Sequence, residues 1–318
     1  MSSPRIAAAL VTRAAVDAAA TVLEGVAVRT AVDPLAAVPG LLLKREDTQP
    51  IGAFKLRGAF HAASRLTPQV RAAGLVTHSS GNHGRALAWA AARLGVPATV
   101  VVPDDAVAAK VDAMATLGAR LVRVAADERE AAADAVVAET GGALIPPYDH
   151  PDVIAGQGTV GAEIAEQVPG VDRVLVPVGG GGLISGIAVA LAGTGISVVG
   201  VEPELAGDAA ESKHTGHLVR WERARVARTA ADGLRAARLG ELTWPHVDRL
   251  VDDVVTVPEA AIEAAARMLH GAGVPAEASG CVATAGALEH PGLVGTRTVA
   301  VVSGGNVDPA WVARVLAA

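Results

Sequence analysis

Apolar residues follow two alternating patterns along this chain. Short, nearly unbroken runs rich in Val and Leu read as strands: "LVTHS" (75–79), "ATVVVP" (98–103), "RLVRV" (120–124), "RVLVPVG" (173–179), "SVVGVE" (197–202) and "TVAVVSGG" (298–305). Ala-rich stretches with helical spacing lie between them, such as residues 84–94, which Gly95 and Pro97 bring to a stop. Alternation of this kind predicts an α/β fold of βαβ units, with mostly parallel, open twisted sheets flanked by helices. Residues 71–146 hold three strand–helix units of their own and end at the turn-rich "GGALIPPYDHP". The pattern therefore divides the chain into two lobes, a larger one from residues 1–70 and 147–318 and a smaller one from 71–146. There is no internal repeat and no low-complexity linker.

Two apolar stretches imitate membrane signals. Residues 1–25 are apolar, but Arg13 and Asp17 interrupt them, and they lack the charged start and continuous core of a signal peptide. The run from Val174 to Val201 carries no charge and is long enough to span a bilayer, yet Pro177 and four consecutive glycines break it into strand, loop, helix and strand. No membrane segment is expected. The chain has 318 residues and a net charge of −6 without any block of like charge, which argues against a nucleic-acid surface. One cysteine, Cys281, excludes an intrachain disulfide and suits a reducing cytoplasm. Hydrophobic residues make up 51% but aromatics only 2%, a composition for close packing of helices on sheets.

Candidate chemistry lies at the strand ends. Gly179, Gly180, Gly181 and Gly182 separate a strand from a helix, and such a loop turns backbone N–H groups toward an anion while the helix adds its positive end. Glu202 follows at the end of the next strand, where a dinucleotide-binding protein places its ribose-binding acid, although Ser185 stands where the third glycine of that fingerprint belongs. "THSSGNHGRA" (77–86) and "VVSGGNVD" (301–308) are two further polar strand ends. The first suits a carboxylate at a helix N-terminus, while helix capping alone would also account for Ser79, Ser80 and Asn82. In "IGAFKLRGAF" (51–60), Lys55 sits in an apolar stretch that disfavours its charged form and makes it a nucleophile. An aldehyde cofactor bearing a phosphate accounts for both the lysine and the tetraglycine loop, which points to pyridoxal phosphate.

These residues also carry a resemblance. "KREDTQPIGAFKLRGA" (44–59), "SSGNHG" (79–84), "IPPYDHPDVIAGQGT" (145–159), "GGGGLISG" (179–186), "VEPE" (201–204) and "SGGNVD" (303–308) resemble the serine racemase and serine/threonine dehydratase family. That family belongs to the fold-type-II pyridoxal-phosphate enzymes, related to the tryptophan synthase β subunit. The motifs stand in family order over residues 30–310 and displace the dinucleotide reading.

The resemblance implies that Lys55 carries the cofactor as an imine, with Phe54 packed close by. It implies that Asn82 hydrogen-bonds the cofactor's phenolic oxygen, that Gly179 to Gly182 with Leu183 bind its phosphate, and that Ser303 meets the pyridine nitrogen. The substrate carboxylate is expected on the turn Ser79–Ser80–Gly81–Asn82–His83, with Ser80 as a second acid–base group opposite Lys55. Glu202, the Ala206 carbonyl and Asp208 match a site for Mg²⁺, Ca²⁺ or Mn²⁺, whereas His214 and His217 are read as surface residues. The implied reaction removes water and ammonia from L-serine or L-threonine to give pyruvate or 2-oxobutanoate. Serine racemisation and 3-hydroxyaspartate dehydration are the alternatives. A homodimer is also implied, and no regulatory domain is expected after the strand that ends in SGGN.

Overall fold

The computed structural model describes residues 10–317; the first nine residues, where the apolar N-terminal stretch begins, lie outside it. Ten strands are present: β1 (Val32–Pro34), β2 (Leu41–Arg45), β3 (Leu75–His78), β4 (Ala98–Pro103), β5 (Arg120–Val124), β6 (Ala143–Leu144), β7 (Arg173–Pro177), β8 (Ser197–Pro203), β9 (Asp253–Val257) and β10 (Thr298–Val302). They form a six-stranded sheet in the order β1-β2-β10-β7-β8-β9 and a four-stranded sheet in the order β5-β4-β3-β6. Every pairing is parallel except β1 with β2. All six expected strands are present, three of them ending earlier than their apolar runs: β3 at His78, β7 at Pro177 and β10 at Val302. The small sheet also gains a fourth strand, β6, that the pattern did not show.

The unbroken apolar runs have a plain cause. In β7, Val174 and Val176 point into one core cluster and Leu175 into another; in β10, Val299 and Val301 face the first while Ala300 and Val302 face the second. A parallel sheet covered by helices on both sides needs apolar residues at every position. The charge-free run from Val174 resolves into β7, the helix Gly182–Leu191 and β8. No described helix is long and apolar enough to cross a membrane.

The helix Lys55–Arg65 lies against both Asn82–Leu94 and Pro151–Gln167. Its approach to the second is very close: a Cβ added at Gly156 would come within 2.7 Å of the Gly58 Cα and 2.8 Å of the Arg57 carbonyl oxygen. Beside that contact the Arg57 guanidinium, 1% exposed, meets Glu46 at 2.8 Å and Glu163 at 2.6 Å. Glycine contact and buried ion pairs together fix the start of the helix, where Lys55 is the first residue.

Candidate active site

In parallel sheets, ligand-binding groups collect at the carboxyl ends of the strands, and here four segments meet there. The segment before Lys55 is tied to the end of β10, since Ala53 bridges to Gly304 and the Phe54 N–H donates to the Ser303 carbonyl at 3.1 Å. Lys55 therefore opens its helix beside Ser303. Its Nζ donates to the Pro147 carbonyl at 2.8 Å and lies 5.0 Å from the centre of the Phe54 ring. No carboxylate stands in ion-pair range of it among the described residues. Burial pushes the Lys55 pKa down to about 8, and a place at the positive end of a helix also disfavours its charge.

The SSGNHG turn follows β3. Gly81 caps the helix Asn82–Leu94 without any side-chain bond, and Arg85 N–H makes the first helical bond, to the Gly81 carbonyl. The amides of Asn82, His83 and Gly84 are thus left for a ligand. Ser79 does not cap the helix; its Oγ accepts weakly from Gly81 N–H at 3.4 Å. Ser80 is half-buried, and its hydroxyl has no partner among the described residues. The His83 ring is buried, 2.9 Å from the Ile145 carbonyl, and burial lowers its pKa to about 3, so the ring stays neutral. What His83 offers at this turn is its backbone N–H.

The tetraglycine loop leaves β7 and leads into Gly182–Leu191. Gly181 is the N-cap at φ +88°, a conformation that favours glycine, and again no side chain caps the helix. Ser185 N–H donates to the Gly181 carbonyl at 3.0 Å, so the amides of Gly182 and Leu183 precede the first helical bond. Tyr148 lies against the loop: a Cβ at Gly180 would collide with its ring, and one at Gly182 would come within 2.9 Å of its Cβ. Pro147 and Tyr148 thus link the two halves of the site, one accepting from Lys55 and the next covering the glycines.

Asn82 donates from Nδ2 to Glu277 at 2.6 Å and accepts at Oδ1 from Asn306 Nδ2 at 2.8 Å. Glu277 stands at the N-cap of the helix Ala278–Glu289, yet its carboxylate turns to Asn82 instead of capping. Burial, with help from the negative charge of Asp232, raises its pKa to about 8. Ser303 is 4% exposed, with Oγ 3.5 Å from the Ser279 carbonyl. Lys55, Ser79–His83, Asn82 and Ser303 are brought together by these links, and the tetraglycine loop joins them through Tyr148. Pro147, Tyr148, Glu277 and Asn306 were not foreseen in these roles. The Pro-Pro-Tyr turn was a visible signal, whereas Glu277 sits in "PAEASG" with nothing local to mark it.

Glu202 and Asp208 form a second buried group, 0% and 1% exposed. Glu202 Oε2 accepts from Ala210 N–H at 2.8 Å, while Glu202 Oε1 and both Asp208 carboxylate oxygens have no partner among the described residues. Burial raises both pKa values, and the charge of Asp208 raises that of Glu202 further. Ala206, fully buried, belongs to the short turn between them. No group of three or more His, Cys, Asp or Glu side chains that could hold a metal ion exists among the described residues, so a cation here would draw on two carboxylates, a backbone carbonyl and water. His214 and His217 are exposed.

The profile of the family described as "Pyridoxal-phosphate dependent enzyme" matches residues 28–304. The chain belongs to that family. It is 43% identical over 274 residues to the L-threo-3-hydroxyaspartate ammonia-lyase of Saccharomyces cerevisiae, covering 84% of this chain and 83% of that protein. It is equally 43% identical over 279 residues to the serine racemase of Arabidopsis thaliana, with 84% and 83% covered. Among solved structures, the processed form of threonine deaminase isoform 2 from Solanum lycopersicum superposes with a TM-score of 0.88 at 33% identity, covering 95% of this chain and 86% of that one. These likenesses bear out the α/β fold-type-II architecture and the resemblance to serine racemases and dehydratases.

The residues fit the family's cofactor. A desolvated amine without a counter-charge suits an imine-forming lysine, and the uncapped helix at Gly182 suits a phosphate. The three oxygens at Glu202 and Asp208 without partners suit a hard cation.

Proposed function

We propose that this pyridoxal-phosphate enzyme is an ammonia-lyase acting on small β-hydroxy amino acids, converting L-serine to pyruvate and L-threonine to 2-oxobutanoate. The observation that carries this reading is Lys55, a desolvated amine with only a carbonyl for a partner, set among three ligand-ready strand ends. When bound, pyridoxal phosphate supplies an electron sink for negative charge at the substrate Cα. Amides at Gly182 and Leu183 would hold its phosphate, and the neutral Ser303 hydroxyl would meet its ring nitrogen. Amides of the Ser79–His83 turn hold the substrate carboxylate. In its neutral form Lys55 Nζ takes the Cα proton. Water leaves from Cα and Cβ; water then returns, and ammonia is released, giving the 2-oxo acid. Glu202, the Ala206 carbonyl and Asp208 would hold a Mg²⁺, Ca²⁺ or Mn²⁺ ion, whose charge would steady the loop after β8.

Serine racemisation is a second reading, favoured by Ser80, whose hydroxyl on the SSGNHG turn has no partner among the described residues. The test is a panel of L- and D-serine, L-threonine and the 3-hydroxyaspartates, following oxo acid and enantiomer together. Pyruvate from L-serine with 2-oxobutanoate from L-threonine is the expected outcome. Turnover of hydroxyaspartate alone would assign the chain to the chemistry named for its yeast relative.

A further inference from the structure

The carboxamide of Asn82 is held at both ends, and the direction of each hydrogen bond around it is determined. Arg85 has only donors to offer, and its Nη1 lies 2.5 Å from Asn306 Oδ1, so that end of Asn306 is its oxygen. Asn306 Nδ2 then faces two acceptors, the Ile51 carbonyl at 2.9 Å and Asn82 Oδ1 at 2.8 Å. A backbone carbonyl only accepts, so Ile51 independently demands the same orientation. Asn82 must therefore turn its NH₂ toward Glu277, which accepts at 2.6 Å. The Glu277 N–H donates to the Gly304 carbonyl at 3.1 Å. One Nδ2 hydrogen of Asn82 is thus engaged, and the other has no acceptor among the described residues.

We infer that Arg85, Asn306 and Glu277 are positioning residues that lock Asn82 in one amide orientation, aiming its spare Nδ2 hydrogen at an acceptor oxygen of the bound cofactor. The inference rests on the reading of Asn82 as a cofactor contact. A free asparagine presents oxygen or NH₂ with similar ease, and the wrong choice sets lone pair against lone pair. In this chain a flipped Asn82 would set its own NH₂ against the Asn306 NH₂, donor against donor, and lose that bond. The four residues are scattered through the sequence and meet because the end of β10 abuts the start of Asn82–Leu94. Arg85 lies at the accessible end, half-buried and lining a cavity of about 200 Å³ with Pro50, Ile51 and Trp89. Its replacement therefore opens no closed void.

The decisive variant is Asn306→Asp, which still accepts from Arg85 but cannot donate to Asn82. Apoenzyme is titrated with pyridoxal phosphate, recording the dissociation constant and the visible absorption band, alongside parent and Asn82→Ala. Asn306→Asp should weaken cofactor binding about three- to tenfold, the range of one ordinary hydrogen bond, and shift the band. Arg85→Gln, which no longer dictates direction, should weaken binding about two- to threefold, and the donor-only Arg85→Lys should recover most of the loss. If Asn306→Asp fails to fold, Arg85→Gln against Arg85→Lys decides the matter. Asn82→Ala altering affinity and band while the Asn306 and Arg85 variants match the parent would overturn the positioning role and leave the Asn82 contact standing. An Asn82→Ala protein identical to the parent in both would remove that contact and the inference with it.

Discussion

Lys44 and Lys55 are both withdrawn from water, but only one is answered by charge. Lys44 is fully buried, and its Nζ meets Glu163 at 2.6 Å, Gln167 at 2.8 Å and the Thr30 carbonyl at 2.9 Å. Burial still lowers its pKa, but Glu163 and Glu46 pull it back up. Lys55 has a single neutral carbonyl, and burial acts on it unopposed. Depth is therefore a poor mark of a reactive lysine; a missing counter-charge is the better one. The two arrangements are also coupled, because Arg57, two residues beyond Lys55, belongs to the same ionic cluster as Lys44. Satisfied charges hold the helix start still, and the unsatisfied amine is placed by them.

The sharpest way to break this contrast is to remove each lysine in turn. Lys55→Ala should lose covalent cofactor attachment and lower turnover by about 10³-fold or more while leaving a folded protein. Borohydride reduction of the parent followed by mass spectrometry should place the adduct on Lys55; an adduct on Lys44 would reverse the assignment. Lys44→Ala should do the opposite, retaining the attachment but lowering stability in denaturant by about 1.5–3 kcal/mol, since Glu163 loses one of two buried cationic partners and keeps Arg57.

Glu202 and Asp208 are the acidic counterpart of Lys55, buried carboxyl groups without a counter-charge among the described residues. Their folded-state pKa values are raised, Asp208 to about 7 and Glu202 in the same direction. Metal-free protein should then lose stability as pH rises from about 4 through 7, because the native state holds protons that the unfolded chain has released. Millimolar Mg²⁺ or Ca²⁺ should restore the loss above pH 7, by about 2.7 kcal/mol when the ion stands at 100 times its dissociation constant. Glu202→Ala should abolish the rescue and remove the Glu202 share of the pH dependence, leaving that of Asp208. A melting temperature indifferent to chelator and added ion at pH 8 would show that no cation binds there.

A smaller effect comes from the titration of Lys55 itself in the apoenzyme. Its folded pKa, about 8, lies below the ordinary lysine value of 10.5. The native state sheds that proton first, so stability should climb between pH 8 and 10.5, by on the order of 1 kcal/mol once solvent screening of the half-buried amine is allowed for. Lys55→Met should flatten that rise; an equal rise in the variant would show that the amine is not perturbed.

The strands that carry the site were legible because β7, β8 and β10 are covered on both faces and so appear as unbroken apolar runs. β2 escaped because Lys44 and Arg45 end it in charge, and only the fold supplies Glu163 and Asp47 to meet them. β6 is two residues long, and β9 starts on the second of two aspartates with no turn signature. Lys55 and the glycines were legible through local spacing, whereas Asn82 was singled out only through the resemblance. Glu277, Asn306 and the Pro147 carbonyl were not, since their meaning lies in hydrogen bonds to residues 92 to 224 positions away. The orphan oxygens of Glu202 and Asp208 belong with these, because a carboxylate's lack of partners can be read only from coordinates.

The smallest expected effect concerns Ser80, and it asks whether the unanswered amine works alone. Inverting a substrate's configuration takes one group to remove the Cα proton and another to deliver a proton on the opposite face. Lys55 supplies the first. The Ser80 hydroxyl, free of partners on the SSGNHG turn, is the candidate for the second, although an ordinary hydroxyl is a weak base near neutral pH. Elimination from L-serine needs only the lysine face, so Ser80→Ala should keep it within about tenfold, a barrier change of roughly 1.4 kcal/mol. The same substitution should remove D-serine formation from L-serine and pyruvate formation from D-serine. Chiral chromatography of reaction mixtures, run beside the pyruvate assay, separates the two outcomes. A variant that interconverts the enantiomers at the parent rate would leave Ser80 as a turn residue and require the second proton to come from elsewhere.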